Sequence, residues 1–179
     1  MLLSKNQWDE LIENKLPYNF EYIFAYFLGD NKKYREDVVN FSKRTGLKIV
    51  TLRHLDQFVS TDEKFGDYAP YNVGPVEFLN LIRNAKYVFT DSFHGSVFSI
   101  INHKNFISFN RYPSNSSSSK NSRIDTLLSS LNLSDRRYNE NIDYALNSID
   151  YKEVDKKMNQ IVLESKKYLI ENIEVNNYD

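Results

Sequence analysis

The sequence predicts an α/β fold, a Rossmann-like, mainly parallel sheet with helices on both faces. Three observations carry that expectation. Short, almost unbroken apolar runs at residues 22–28, 48–52, 87–90 and 105–109 read as strands buried on both faces, the habit of parallel sheets. Stretches with helical apolar spacing separate them. Capping residues stand where those helices should start and stop.

Taken in order, the chain begins with a short helix around Lys5 to Ile12, with Ser4 as its N-cap; Pro17-Tyr18-Asn19 then breaks it. The first strand closes on Gly29-Asp30-Asn31, and Asn31 or Asp30 can cap the next segment. That segment carries Tyr34, Val38 and Phe41 on one face and stops at Gly46. The second strand follows, completing a βαβ unit. Residues 53–73 lack a period and read as a long functional or mobile loop. Gly74-Pro75 with Glu77 opens a helix whose core face is Phe78, Leu79, Leu81 and Ile82. Strand three runs straight into Asp91-Ser92-Phe93-His94-Gly95-Ser96, a tight polar turn. The helix that follows it repeats apolar residues at Phe93, Val97, Ile100 and Ile101. After strand four, the serine-rich stretch within residues 110–121 reads as a mobile loop. A helix opening near Ser122 carries Leu127, Leu128 and Leu131 inward. A last helix, residues 150–174, presents Val154, Met158, Ile161, Val162 and Leu169, and the tail beyond it should fray. The organisation expected is a connecting arm over 1–20, a Rossmann-like domain over 21–149 and a C-terminal helix over 150–179 packing back on it.

The 179 residues suit one domain with a real core. Apolar residues make up 41% and aromatics 15%, which excludes a disordered chain. Cysteine is absent, so disulfides and thiolate metal sites are excluded. His54, His94 and His103 are not spaced as metal ligands, and no metal is expected. A net charge of -1 gives no field to attract nucleic acid. No apolar run is long enough to span a membrane, so a cytoplasmic protein is expected, with peripheral attachment to the inner face of the membrane as a variant.

In an open parallel sheet, ligands bind outside the carboxyl ends of the strands. That rule gathers the candidates on one rim: Gly29 and Asp30 after strand one, Arg53 and His54 after strand two, Asp91, Ser92, Phe93, His94, Gly95 and Ser96 after strand three, and Asn110 and Arg111 after strand four. A strand-turn-helix presents free N–H groups and the positive end of a helix dipole, so the third group suits an anion, with a histidine in place for proton transfer. Asp91 has the alternative of simply capping the helix, His54 of an exposed loop histidine, Arg111 of a free surface charge, and Arg123 of a helix-end residue held in a salt bridge. No glycine-rich phosphate loop is present, which argues against NAD binding and nucleotide hydrolysis. No base and orienter accompany Ser92 or Ser96 as a hydrolase triad would require.

The segments Gly74-Pro75-Val76-Glu77-Phe78 and Thr90-Asp91-Ser92-Phe93-His94-Gly95, with the Tyr22-to-Gly29 strand and Ser122-Arg123-Ile124, resemble the C-terminal half of the polysaccharide pyruvyl transferase family over roughly residues 1–137. The resemblance implies the second half of a glycosyltransferase-B-like architecture. It implies transfer of a pyruvyl group from phosphoenolpyruvate, the donor substrate, to a hydroxyl pair of a glycan or lipid-linked saccharide acceptor, forming a ketal with no cofactor. It assigns His94 the acid role held by the histidine of the family's Arg-x-His turn. From the rim, the turn and the nearby arginines rather than from the resemblance, the candidate substrate contacts are Asp91, Ser92, Phe93, Gly95, Ser96, Arg111, Arg123, His54 and Gly29.

Two departures stand beside it. The family's arginine falls on Ser92, so a charge-assisted phosphate contact of about 1.5–3 kcal/mol has to come from elsewhere, Arg111 or Arg123, or the donor differs. The first residues resemble the family's interdomain connection, so an N-terminal domain or a partner chain is expected to complete the cleft, and the isolated domain to be inactive alone. A non-catalytic interaction module and half of a sugar-nucleotide glycosyltransferase are the alternatives.

Overall fold

The computed structural model describes residues 3, 5–54, 58–112 and 120–175. Ser4 and its capping role, the serine-rich stretch 113–119 and the tail 176–179 lie outside the described residues. The strands are β1 (Tyr22–Tyr26), β2 (Lys48–Thr51), β3 (Tyr87–Thr90) and β4 (Asn105–Ser108). The helices are α1 (Lys5–Leu11), α2 (Lys32–Thr45), α3 (Pro75–Asn84), α4 (Phe93–Ile101), α5 (Asn121–Ser130) and α6 (Tyr151–Val175). The fold is α/β and Rossmann-like, as expected: one sheet, all parallel, in the order β2-β1-β3-β4.

Alternation along each strand feeds two cores. Tyr22, Phe24, Val88 and Phe106 face α3, α4 and α5, where Leu81, Ile82, Ile100, Ile124 and Leu128 meet them. Ile23, Ala25, Phe89 and Ile107 face the other way, onto Val38 and Phe41 of α2 and onto Ile142 and Ala145 of a 3-10 turn. Two-sided burial explains why the strands read as continuous apolar runs. Each fully buried large side chain contributes about 1.5–3 kcal/mol over leaving it in water, so both faces hold the sheet.

The caps sit close to the expected positions. Asn31 accepts from Tyr34 N at 3.3 Å, Gly46 ends α2 at φ 71°, and Glu77 accepts from Gly74 N at 3.0 Å. Asp150 starts α6 by accepting from Lys152 N and Glu153 N. The strands are shorter than the apolar runs. Past the end of β1, the N–H groups of Leu28 and Gly29 are taken by the Asp91 side chain rather than by the ladder.

Both sheet edges are covered. The loop after β2 returns alongside it, with Asp67 N and Tyr68 N donating to Ile49 O and Thr51 N to Tyr68 O. Arg137 bridges Ser108 on the β4 side. Covered edges cannot template pairing with other chains. The arm before β1 is fastened to α3: Arg83 pairs with Asp9 at 2.7 Å, and Asn80 binds Lys15 N and Glu13 O. Helix α6 meets the core through Tyr151, Val154 and Met158; Ile161 and Leu169, expected on the packed face, are exposed with Leu163, Tyr168, Ile170 and Ile173, because the helix runs on past the core. No described helix is long and apolar enough to cross a membrane.

Candidate functional site

The sheet order places a topological switch point between β1 and β3. From β1 the chain steps outward to β2, then returns to β3 and continues to β4. The crevice beyond the carboxyl ends of β1 and β3 is where such sheets hold ligands.

The floor of that crevice is the turn Leu28-Gly29, whose backbone is held entirely by charged side chains. Asp91 Oδ1 accepts from Leu28 N at 2.7 Å and Oδ2 from Gly29 N at 2.9 Å. Leu28 O accepts from His54 Nε2 at 3.1 Å, and Gly29 O from Arg35 Nη2 at 2.9 Å. Arg35 and His54 meet again on Asp62, through Arg35 Nε at 2.9 Å and Nη2 at 2.6 Å on Oδ1, and His54 Nδ1 at 2.6 Å on Oδ2. Carbonyl and carboxylate oxygens only accept, so His54 donates from both ring nitrogens and is a cation.

Burial opposes that charge on His54, but the bonds to Asp62 and Leu28 outweigh it and its pKa is raised. Asp62 is likewise desolvated, yet the bonds from His54 and Arg35 lower its pKa. Burial pushes the Asp91 carboxyl up despite its two N–H donors and the nearby Arg111 and Arg35. A side chain at Gly29 would meet Asp91 Oδ2 at 3.1 Å and Arg111 O at 3.4 Å, so glycine lets the turn lie against β3 and β4. His54, read from sequence as a loop residue, is a buried fastener with its side chain 8% exposed.

Ser92, not Asp91, caps α4, accepting from Gly95 N at 3.3 Å. Ser92 N donates to Thr90 Oγ1, which donates to Tyr26 O at 2.6 Å. Ser92 is 4% exposed, and its hydroxyl is occupied by the cap. Ser96 is fully buried; its hydroxyl contacts Ser92 O at 3.0 Å and Ser108 Oγ at 2.6 Å, tying α4 to β4. Gly95 packs on Thr90, where a Cβ would come within 2.6 Å of Oγ1. These groups shape the turn and leave the opening to its neighbours.

His94 is exposed at the second residue of α4, its ring edge-on to Phe93 at 5.9 Å. The Arg123 guanidinium stacks over the Phe93 ring at 4.3 Å. Phe93 therefore sits between an imidazole and a cation, beside the N-termini of α4 and α5. His94 and Phe93 also line an apolar groove of about 370 Å³ with Trp8, Val97, Leu127 and Met158. Arg111 is exposed next to Gly29, its guanidinium over Tyr112 at 5.4 Å. Tyr26 ends β1 between these sets: burial and the charge of Asp91 raise its pKa, and Arg111 opposes them.

Sequence reasoning gathered the rim but missed what braces it. Arg35 and Asp62 have no motif; a buried charge inside an amphipathic helix and a loop aspartate look like surface residues. Tyr26 was within reach of the carboxyl-end rule, since it closes a strand. Arg137, which binds Phe109 O at 3.0 Å and Asp125 at 2.9 Å, reads as a turn residue in the sequence. No group of three or more acidic, histidine or cysteine side chains among the described residues is placed to hold a metal.

The all-parallel sheet with helices on both faces, and with Arg111, Arg123 and the exposed His94 beyond its carboxyl ends, defines a Rossmann-like α/β protein. The family description Polysaccharide pyruvyl transferase matches residues 3–112, which takes in β1 through β4 and the whole β3–α4 turn. The chain belongs to that family. No curated protein and no solved structure matches it.

Proposed function

We propose that this chain is the donor-binding domain of a pyruvyl transferase acting on a surface polysaccharide. Phosphoenolpyruvate binds where α4 and α5 begin, its anionic groups toward Arg123, Arg111 and the free N–H groups of the α4 terminus. His94 gives a proton to the methylene carbon of the enol phosphate as a sugar hydroxyl bonds to the adjacent carbon. Inorganic phosphate leaves from that carbon, a second hydroxyl of the same sugar takes its place, and a ketal results. The two hydroxyl protons go to phosphate and back to the imidazole. The acceptor is a glycan or lipid-linked saccharide, handled in the cytoplasm or at the inner face of the membrane.

The observation that supports this most is His94 and Arg123 flanking one ring, Phe93, at a helix N-terminus. It puts an imidazole and a guanidinium against one ring, where Ser92 supplies neither. Calorimetric titration with phosphoenolpyruvate tests it. Binding heat in the parent that is lost in His94→Ala and weakened in Arg123→Ala is the expected result; heat that is absent, or identical in all three proteins, overturns the reading.

A further inference from the structure

The rim has a second compartment. Beyond β2 and β1, on the other side of the switch point from His94, lies a cleft of about 280 Å³ walled by Tyr26, Arg53, His54, Pro70, Tyr71 and Val73. Tyr71, in the wall of the cleft, is 70% exposed. A tyrosine ring combines an apolar face with a polar tip and is enriched at contact surfaces. Arg53 Nε is buried and finds no hydrogen-bond partner among the described residues. Its Nη2 reaches Glu63 O only at 3.4 Å, a long contact. A buried donor left unpaired in a native fold calls for a ligand or a water.

The chemistry of this cleft differs from that of the His94 side. His54 in its wall has its charge matched by Asp62, which leaves one guanidinium and two tyrosine rings facing the space. That is too little charge for a carboxylate plus a phosphate. It suits a ring with one apolar face and several hydroxyls. The volume lies near the lower bound of ligand clefts, roughly 300 Å³, and takes one ring rather than a nucleotide. Tyr26 lines the cleft and ends β1, the strand next to β3 at the switch point.

We propose that this cleft is the acceptor subsite, holding one pyranose ring of the saccharide stacked on Tyr71 and hydrogen-bonded by Arg53. The assignment rests on the pyruvyl transfer reading above and adds to it where the acceptor sits: over β2 and β1, with the donor over β3 and β4. The sugar hydroxyls then approach the switch point past Tyr26. Arg53 and Tyr71 are binding residues here and take no part in proton transfer.

Saturation-transfer NMR on the 179-residue chain, with methyl β-galactopyranoside and methyl β-mannopyranoside as probes, tests this. Enhancement of ring protons is expected for at least one glycoside. Tyr71→Ala should weaken its apparent affinity by about tenfold or more, and Arg53→Gln should weaken it too. Heats of phosphoenolpyruvate binding should be unchanged in both variants, and matching thermal melts show that each still folds. No enhancement with either glycoside, or equal enhancement in parent and variants, overturns the subsite. The donor reading fails separately, by loss of the phosphoenolpyruvate heat in the parent, so the two failures are told apart.

Discussion

Asp91 Oδ2 lies 2.9 Å from Gly29 N, and this contact crosses the boundary between β1 and β3 at the point where the sheet changes direction. With the companion bond from Leu28 N, the carboxylate fixes two consecutive peptides that would otherwise continue the ladder. Asp91→Ala leaves two N–H groups without a partner. Each unpaired buried donor costs about 1–3 kcal/mol, and removing a desolvated charge offsets part of it. A net loss of about 1–3 kcal/mol in urea unfolding is expected. An unchanged midpoint would mean that the turn is held without Asp91.

The same turn makes stability depend on pH through His54 and Asp62. The pKa of His54 is raised in the fold. Its contribution is therefore complete below the unfolded histidine value, about 6.5, and is lost as pH rises through the higher folded value. The pKa of Asp62 is lowered. Its contribution is present above the unfolded carboxylate value, about 3.9, and is lost as pH falls through the lower folded value. Thermal melts should show a stability maximum between these limits. His54→Gln should flatten the alkaline decline and also weaken the acid one, because the bond from His54 helps to lower the Asp62 pKa while Arg35 remains. A variant that keeps the parent's alkaline decline would place the titrating group elsewhere.

Gly95 offers a sharper steric test. A methyl there would sit 2.6 Å from Thr90 Oγ1 and 3.0 Å from its Cγ2. Thr90 is fully buried and its hydroxyl serves both Tyr26 O and Ser92 N, so it cannot swing away without breaking them. Gly95→Ala should destabilise by about 1–3 kcal/mol, the usual cost of overpacking. Pairing it with Thr90→Ser should recover only the part of the loss due to Cγ2, because serine keeps Oγ1, the nearer obstruction. Failure of that rescue would show that α4 and β3 separate rather than compress.

The contrast between strands and site explains what the sequence made legible. Residues 22–26, 48–51, 87–90 and 105–108 announce themselves because burial on both faces demands apolar side chains at every position. Their order also places His94, Arg111 and Gly29 on one rim through a rule about sheets that needs no side-chain geometry. Whether a polar residue is a tool or a brace is decided by contacts between segments distant in the chain. Ser96 reads as an open hydroxyl until β4 brings Ser108 to within 2.6 Å of it. His54 reads as a loop residue until Asp62 and Leu28, both far from its local pattern, take its two nitrogens.

His94 has no such ties, and that separates function from folding. Its ring is exposed, and its one described ring contact is with the adjacent Phe93. Surface changes of this kind usually stay within about 0.5 kcal/mol, so His94→Ala should melt like the parent while losing donor binding and transfer. Arg123 divides its role. Its cation–π contact with Phe93 is worth about 0.5–1 kcal/mol at an exposed site, whereas a charge-assisted bond to an anion is worth about 1.5–3 kcal/mol. Arg123→Ala should therefore weaken phosphoenolpyruvate binding by roughly ten- to hundredfold with little loss of stability. Arg123→Lys keeps the charge but loses the planar fork that stacks on the ring, so an intermediate affinity is expected. If calorimetry gives lysine and alanine the same affinity, the guanidinium acts through its stacking and not through its charge, and the anion must be held by Arg111.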